Sequence, residues 1–293
     1  MICTRLEGGI GNQLFQYAAG RALALNHGTE LLLDTSALSA QLKGVTPRNF
    51  ELNHFDIGAR VAKFDECLVP LWLRHIPALS HWISPWRMHV ERGCNFNPRF
   101  VSLPDDTYLV GYWQSYRYFD EIADQLTDDL KIVAPLSAAS TTIAKQIESS
   151  MSVAIHVRRG DYVSLASASN LHGTLSLDYY INAIRELGKS LHGARYFVFS
   201  DDPDWCQVNL PLDETAVYVT HNAGADSWQD LMLMARCQHH IIANSSFSWW
   251  GAWLADQQHP AGIDHLVYAP RRWFTAQSGL ELRDRFPPHW LVR

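Results

Sequence analysis

Short apolar runs alternate with amphipathic stretches along the whole chain. The runs that predict β-strands are residues 2–6, 30–33, 108–112, 152–157, 196–200, 216–219, 240–243 and 266–269. The stretches with apolar residues at helical spacing are residues 12–26, 119–130, 138–149, 177–187, 229–236 and 247–254. Strands that alternate with helices in this way are typical of an α/β fold.

One segment, residues 131–152, separates two such series of strands and helices. It has a helical pattern but contains no glycine turn motif. The halves on either side of it have the usual size of a domain. We therefore predict two α/β domains, residues 1–135 and residues 150–293.

The composition is that of a globular chain, with 47% hydrophobic and 18% charged residues. A net charge of −6 gives no general attraction for nucleic acid, so no nucleic-acid partner is expected and any anion must be held locally.

The five cysteines lack the CxxC spacing of zinc or redox sites, which favours reduced thiols and a cytoplasmic location. The chain runs at once into a glycine motif and contains no run of about 18 apolar residues, so neither a signal peptide nor a membrane span is predicted.

Residues 68–90 are rich in tryptophan and other apolar residues but are interrupted by arginine, histidine and proline. A helical pair or lid with apolar faces explains this pattern. A membrane-surface or acceptor-binding segment also explains it. Peripheral contact with the inner membrane surface therefore stays open beside a purely cytoplasmic location.

A glycine motif at residues 8–17 follows the first predicted strand and opens the first predicted helix. Glycines in such a loop let the backbone approach a ligand, and the amides at a helix start suit a phosphate. The motif matches neither the P-loop nor the dinucleotide fingerprint, so a structural tight turn is an equal alternative. The amide side chains of Asn12 and Gln13 favour the ligand loop. The candidate donor-binding residues here are Gly9, Ile10, Gly11 and Asn12.

A second motif, His156 to Tyr162, lies at the end of the predicted strand 152–157. Ligands of α/β proteins bind at the carboxyl ends of strands. A bare Arg-Arg pair is usually a solvated surface pair, but here Asp161 can pair with one arginine and leave the other for a ligand. Arginine suits phosphate because its planar fork forms two hydrogen bonds and stays charged. Arg158 is the candidate for this role.

Two further polar segments follow predicted strands. Asp201 and Asp202 can accept hydrogen bonds from paired donors such as those of guanine, or can cap a helix that begins at Pro203. The residues Asn244, Ser245, Ser246 and Phe247 precede the last predicted helix and offer hydroxyls and amides to a diphosphate, or simply cap that helix. The tryptophans that follow are expected to fill the core. No clear Asp-x-Asp or histidine cluster lies at a predicted strand end, and the nearest match, Asp201-Asp202, is interpreted as nucleotide recognition, so no metal site is predicted.

Together these segments resemble the bacterial α-1,2-fucosyltransferases of glycosyltransferase family 11. GGIGNQLFQYAAGRAL is similar to the amino-terminal motif of that family, and HVRRGDYV is similar to a motif shared by α-1,2-, α-1,6- and protein O-fucosyltransferases. FSDDPDW resembles the second shared motif, and SWQDLMLMARCQHHIIANSSFSWWGAWL resembles the third. The resemblance extends from about residue 5 to residue 274, and the last motif is the most specific.

The resemblance implies a GT-B-like fold of two facing Rossmann-like domains. The first domain would lie on the acceptor side, and the second would bind GDP-fucose. No cofactor and no divalent metal are expected. Carried over by position, Arg158 would grip the β-phosphate, Asp201 would read guanine, Ser245 and Ser246 would hold the diphosphate, and Gly11 with Asn12 would close over the donor.

The activity that this resemblance implies is the transfer of L-fucose from GDP-β-L-fucose to the 2-hydroxyl of a galactose-terminated oligosaccharide, with inversion. Leaving-group stabilisation by Arg158 is expected to exceed the contribution of a general base. The base is open, with Asp161 and His156 as the candidates. A fucosyltransferase for another acceptor position, α-1,6 or protein O-linked, is one alternative. A non-catalytic carbohydrate-binding protein is the other, since 11 tryptophans and 11 tyrosines could stack on sugar rings.

Overall fold

The computed structural model describes residues 1–38, 48–63, 65–67, 69–160, 171, 173–258, 265–280 and 282–293. The chain forms two compact units. Unit 1 comprises Met1–Ala134 with Glu281–Pro287, and unit 2 comprises Pro135–Leu280 with Pro288–Arg293.

The units differ from the predicted ranges at two places. Helix Ala138–Glu148, which fell in the predicted junction, lies in unit 2. Near its end the chain returns to unit 1, where the Phe96 amide donates to Asp284 and the Arg283 amide donates to Asn95 at 2.8 Å. Long-range bonds of this kind leave no pattern in the sequence, so the return of this segment was not predicted.

Unit 1 is built on a parallel sheet of five strands in the order β3-β2-β1-β5-β4. The strands are β1 (Ile2–Arg5), β2 (Leu31–Asp34), β3 (Arg60–Val61), β4 (Arg87–Val90) and β5 (Thr107–Val110). The α-helices are α1 (Ile10–His27), α2 (Ser80–Ile83) and α3 (Ala123–Asp129). Short 3₁₀ turns lie at Leu52–His54, Leu71–His75, Pro77–Leu79, Pro98–Ser102, Tyr116–Tyr118 and Asp120–Ile122.

Helix α1 packs directly on the central strand of this sheet. A Cβ atom at Gly20 would lie 2.2 Å from the Thr4 hydroxyl, so the close approach of α1 to β1 requires a glycine. The helix ends at Gly28, whose φ of 61° places it in the left-handed region that favours glycine.

Unit 2 is built on a parallel sheet of six strands in the order β11-β10-β9-β6-β7-β8. The strands are β6 (Ser152–Val157), β7 (Arg195–Ser200), β8 (Val217–Val219), β9 (His239–Ile241), β10 (Val267–Ala269) and β11 (Leu291–Val292). The α-helices are α4 (Ala138–Glu148), α5 (Leu177–Ser190), α6 (Pro203–Asn209), α7 (Ser227–Met234) and α8 (Ser246–Gln258). Short 3₁₀ turns lie at Gly224–Asp226 and Ala276–Ser278.

Strand β6 lies inside the sheet of unit 2, and all of its residues are buried. On one face, Val153, Ile155 and Val157 pack in a core cluster that includes Tyr180 and Ile184 of α5. On the other face the strand carries Ser152, Ala154 and His156. The apolar run in the sequence predicts this strand because a strand covered on both faces has few polar positions.

The predicted α/β class is confirmed, and each predicted strand is present within two residues at either end. Strands β3, β4 and β11 were not predicted, and all three lie at sheet edges. Edge strands are partly exposed and therefore lack a continuous apolar run. No described helix is long and apolar enough to cross a membrane.

Candidate active site

The carboxyl ends of β6 and β7 lie side by side, because Val157 pairs in register with Ser200. The residues that follow these strands are Arg158 and Asp201. The Arg158 Nη1 atom lies 3.0 Å from the Asp201 Oδ2 atom, and the two side chains are 29% and 25% exposed. A guanidinium and a carboxylate are thus paired, and still partly accessible, at the sheet edge where α/β proteins bind ligands.

The neighbouring arginine is held in a different way. The Arg159 amide donates to the Asp201 Oδ1 atom at 2.8 Å, and its Nε atom donates to the Asp202 Oδ2 atom at 3.1 Å. Its guanidinium stacks on the Trp205 ring, 4.1 Å from the centroid. Asp161, which was expected to pair with one of the arginines, lies outside the described residues. Within the described part of the chain, Asp201 and Asp202 take that role.

The two aspartates of the Asp201-Asp202 pair have different tasks. The Asp202 side chain accepts from the Trp205 amide and caps helix α6, which begins at Pro203. The Asp202 amide donates to the Ser200 hydroxyl at 2.9 Å. The capping interpretation therefore applies to Asp202, whereas Asp201 faces the arginines. Helix α6 confirms the alternative of a capped helix that begins at Pro203, whereas the stacking of Trp205 was not predicted.

His156 lies on β6 two residues before Arg158 and is buried. Burial, and then the neighbouring Arg158 charge, lower the pKa of His156 to about 3. Its Nδ1 atom has no hydrogen-bond partner within the described ranges. Its ring lies 5.6 Å from the Phe247 ring, centroid to centroid. His156 is therefore a neutral imidazole at neutral pH and a weak base.

The turn before helix α8 is fixed by Asn244. Its side-chain amide donates to the Gly173 carbonyl at 3.1 Å and to the Trp273 carbonyl at 3.2 Å. These bonds join three separate segments behind the sheet edge. The contact between His156 and Phe247 brings the same turn to the end of β6.

Helix α8 begins at Ser246 in the way a capped helix does. The Phe247 amide lies 3.4 Å from the Ser245 hydroxyl, and the Trp249 amide donates to the Ser245 carbonyl at 3.1 Å. Ser245, Ser246 and Phe247 are partly exposed. The tryptophans that follow are buried and fill the core, as predicted: Trp249, Trp250 and Trp253.

One carboxyl group of unit 2 was not singled out in the sequence. Asp230 lies on α7, and the Asn222 side chain donates to its Oδ1 atom at 2.8 Å. Burial raises the pKa of Asp230 to about 7. An aspartate directly before the apolar run 231–234 of this helix is the signal that could have identified it.

The glycine loop of unit 1 is tied into its own unit. Gly8 has a φ of +80°, in the region that favours glycine. The Ile10 amide, at the start of α1, donates to the Glu51 carboxylate at 3.0 Å. The Gln13 side chain donates to the Gly8 carbonyl, and the Asn12 Oδ1 atom accepts from the Gln114 side chain at 2.7 Å. The loop thus has the internal bonds of a structural turn, and ligand binding by Gly9 to Asn12 stays a prediction.

Within the ranges that the structure describes, no group of three or more histidine, cysteine, aspartate or glutamate side chains is placed to hold a metal ion. The independence of the reaction from metal stays a prediction.

Comparison with known proteins decides the family. The model of glycosyl transferase family 11 matches residues 92–291. This chain belongs to glycosyltransferase family 11. The match includes β6, β7 and the turn before α8, so the arginine and aspartate pairs described above lie within the family domain.

Two curated relatives of this family 11 protein span nearly its whole length, and a third spans most of it. An alpha-1,2-colitosyltransferase of Escherichia coli is 32% identical over 99% of this chain and 98% of its own length. The O-antigen biosynthesis glycosyltransferase WbnK of Escherichia coli is 31% identical over 94% of this chain and 96% of its own. Galactoside alpha-(1,2)-fucosyltransferase 1 of Lagothrix lagotricha is 22% identical over 85% of this chain and 64% of its own.

Among solved structures, fucosyltransferase NodZ from Bradyrhizobium has a TM-score of 0.53 and 18% identity. The alignment covers 86% of this chain and 91% of NodZ. At this identity the likeness shows the fold, which is GT-B-like. The protein is therefore a glycosyltransferase with the predicted fold class.

Proposed function

We propose that this family 11 glycosyltransferase transfers L-fucose from GDP-β-L-fucose to the 2-hydroxyl of a terminal β-galactoside, with inversion at the anomeric carbon. The observation that carries the proposal is the partly exposed Arg158 guanidinium at the carboxyl end of β6. The α-1,2 linkage is supported by the names of two relatives, a colitosyltransferase and a galactoside fucosyltransferase.

In this proposal Arg158 stabilises the leaving group. When the bond between fucose and GDP breaks, negative charge develops on the β-phosphate. A guanidinium fixed in place before the reaction stabilises that charge without reorganisation. Asp201 holds the Arg158 side chain from one side, which favours a fixed position over a freely rotating one.

The geometry narrows the choice of general base. The acceptor hydroxyl must lose a proton as it attacks the anomeric carbon. His156 is a poor acceptor for that proton, because its pKa is about 3 and the imidazole is buried. We propose that His156 instead supports the end of β6 and the contact with Phe247. Asp161 stays a candidate base that lies outside the described residues.

Two further roles in donor binding are part of this proposal. Asp201 would read guanine, and Ser245 with Ser246 would bind the diphosphate.

A second candidate donor is the corresponding GDP-activated colitose. The colitosyltransferase that matches 99% of this chain favours it. Colitose is L-fucose without the 3-hydroxyl group, so the two donors share the leaving group, the anomeric carbon and the stereochemistry of attack. Only contacts with the 3-hydroxyl separate them. A site that binds this hydroxyl by hydrogen bonds rejects the deoxy sugar, because its own polar groups would be left unpaired.

The test is a donor and acceptor matrix. GDP-fucose and GDP-colitose are each incubated with lactose, with lacto-N-biose and with galactose, and GDP release and the linkage of the product are measured with and without EDTA. The proposal expects a 2-linked fucoside on a galactoside, with EDTA having no effect. Transfer of colitose alone would replace the proposed donor, and a 6-linked product would replace the proposed acceptor position. Absence of GDP release with every pair would overturn the proposed activity. Inhibition by EDTA would refute the metal-independent mechanism.

A further inference from the structure

An exposed apolar ridge lies in unit 1 beside the edge strand β4. Residues 71–83 form two 3₁₀ turns and helix α2, which pack against β4 through the buried residues Leu73 and Ser80. The large apolar side chains on the outward side are exposed, together with Arg74, His75 and His81. We name the five apolar side chains the aromatic ridge: Trp72, Ile76, Leu79, Trp82 and Ile83. Trp82 is 79% exposed and Trp72 is 54% exposed, which is unusual for the largest apolar side chain.

The charged side chains within residues 67–90 are all positive. Residues 67–90 contain no aspartate or glutamate, although the chain as a whole has a net charge of −6. The arginines in and next to this segment are Arg74, Arg87, Arg92 and Arg99. None of them forms a salt bridge with a residue in the described ranges, whereas Arg60, just before the segment, pairs with Glu30 and Glu66. The ridge is therefore an apolar strip bordered by uncompensated positive charge.

A cavity of about 560 Å³ adjoins the ridge. Pro77, which lies between Ile76 and Leu79 of the ridge, is part of its lining. Arg92 and Arg99 also line it, together with apolar residues such as Met88 and Leu103. Two guanidiniums and an apolar wall in one recess fit an anionic headgroup attached to an acyl chain.

We propose that the aromatic ridge docks this glycosyltransferase on the surface of a bilayer that contains anionic phospholipid. Exposed tryptophans with neighbouring arginines are the composition of interfacial membrane anchors, because the indole ring lies at headgroup depth and the arginines meet the lipid phosphates. Arg92 and Arg99 receive a headgroup phosphate in the adjoining cavity. The positive border favours this occupant over a second copy of the chain, since two copies would bring the same uncompensated arginines together.

Co-sedimentation of the full chain with vesicles tests the proposal. Vesicles of phosphatidylcholine alone are compared with vesicles of phosphatidylcholine and phosphatidylglycerol in equal parts, each with and without added sodium chloride. The proposal expects the protein to pellet with the anionic vesicles, to pellet much less with the neutral ones, and to be released by salt.

Three variants separate the two parts of the surface. Trp82→Ala, at a side chain that is mostly in solvent, keeps the fold and lowers the partition constant on anionic vesicles about tenfold. Arg74→Ala with Arg87→Ala lowers it by a further factor of about 10 or more and reduces the dependence on salt. Trp82→Phe retains binding but reduces the quenching of tryptophan fluorescence by lipids brominated in the acyl chain. The melting temperature of each variant shows that the fold is retained.

Two matched controls come from unit 2. Val208→Ser removes an apolar side chain that is 83% exposed, and Arg185→Ala removes an exposed arginine on α5. Both are expected to bind vesicles like the wild type. The proposal is overturned if the wild type pellets with no vesicle, or if Trp82→Ala binds as well as the wild type. It is also overturned if the Trp82→Ala change instead abolishes a concentration-dependent dimer seen by light scattering without lipid.

Discussion

The glycine loop of unit 1 and the arginine turn of unit 2 follow the same kind of structural transition, from the end of a buried parallel strand into the next segment. In the glycine loop the first amide of α1 donates to the Glu51 carboxylate, and Gln13 bridges the loop to its surroundings. In the arginine turn, Arg158 pairs with Asp201 while both side chains stay partly exposed.

The difference shows that a strand end is a candidate site only when its polar groups have bonding capacity left for a ligand. A carboxylate at a helix start satisfies the amide and opposes the approach of a phosphate. A guanidinium has five donors, more than one carboxylate can accept, and the Arg158 side chain is still 29% exposed. Both motifs were candidate ligand sites in the sequence, and the contacts now distinguish them.

The largest expected effect falls on the arginine turn. Arg158→Ala removes the charge proposed to stabilise the leaving GDP, and kcat/KM for GDP-fucose should fall by about 10²–10⁵, or about 3–7 kcal/mol. Arg159→Ala is the matched control, because that guanidinium stacks on Trp205 and pairs with Asp202. Retention of more than about a tenth of the wild-type rate in Arg158→Ala, with an unchanged melting temperature, would contradict the proposed role.

The next effect concerns the buried carboxyl of unit 2. The pKa of Asp230 is raised from 3.8 to about 7, so between these values the folded state holds a proton that the unfolded state has lost. The contribution of Asp230 to the free energy of unfolding is therefore largest below pH 3.8 and decreases as the pH rises towards 7. Above pH 7 this contribution no longer changes with pH. The loss is at most about 4 kcal/mol.

Denaturant unfolding of the wild type and Asp230→Asn over this pH range measures the effect. The asparagine variant keeps a polar group for Asn222 but cannot ionise, so its free energy of unfolding should lack this decrease with pH. Identical pH profiles for the two proteins would show that the carboxyl is not perturbed in the folded chain.

A smaller effect is expected when the partner of Arg158 changes. Asp201→Asn removes the carboxylate charge that fixes the guanidinium, and the looser geometry should lower kcat about 10- to 100-fold. Asp202→Asn, at the adjacent position, should instead lower stability by about 1 kcal/mol through the cap of α6, with little change in rate. Equal losses of rate in the two variants would mean that Asp201 has no special relation to Arg158.

The smallest effect is expected in the glycine loop. Glu51→Gln removes the carboxylate charge beside the start of α1 and should lower the free energy of unfolding by about 0.5–1 kcal/mol. Thermal unfolding measures this change. If the variant instead binds GDP-fucose more tightly than the wild type, the loop amides are a phosphate site that Glu51 was shielding, and the contrast between the two strand ends disappears.

The sequence by itself determined the α/β class, the strands inside both sheets and the residues at the carboxyl ends of β6 and β7. It also predicted six of the described helices, which are α1, α3, α4, α5, α7 and α8. These follow from local patterns: a buried strand is a continuous apolar run, and the charged residues that stop the run must lie at the sheet edge. The family resemblance was also contained in the sequence, since the motifs that carry it are contiguous.

Only the tertiary structure decided which partner each of these groups has. Asp201 and Asp202 are adjacent in the chain, yet one holds Arg158 and the other caps α6. The Glu51 carboxylate accepts a hydrogen bond from the Ile10 amide, which lies far from it along the chain. The Asp284 carboxylate likewise accepts from the distant Phe96 amide. The pKa values of His156 and Asp230 are shifted mainly by burial. Long-range contacts and burial depend on where distant segments meet, and no local pattern of residues encodes that meeting.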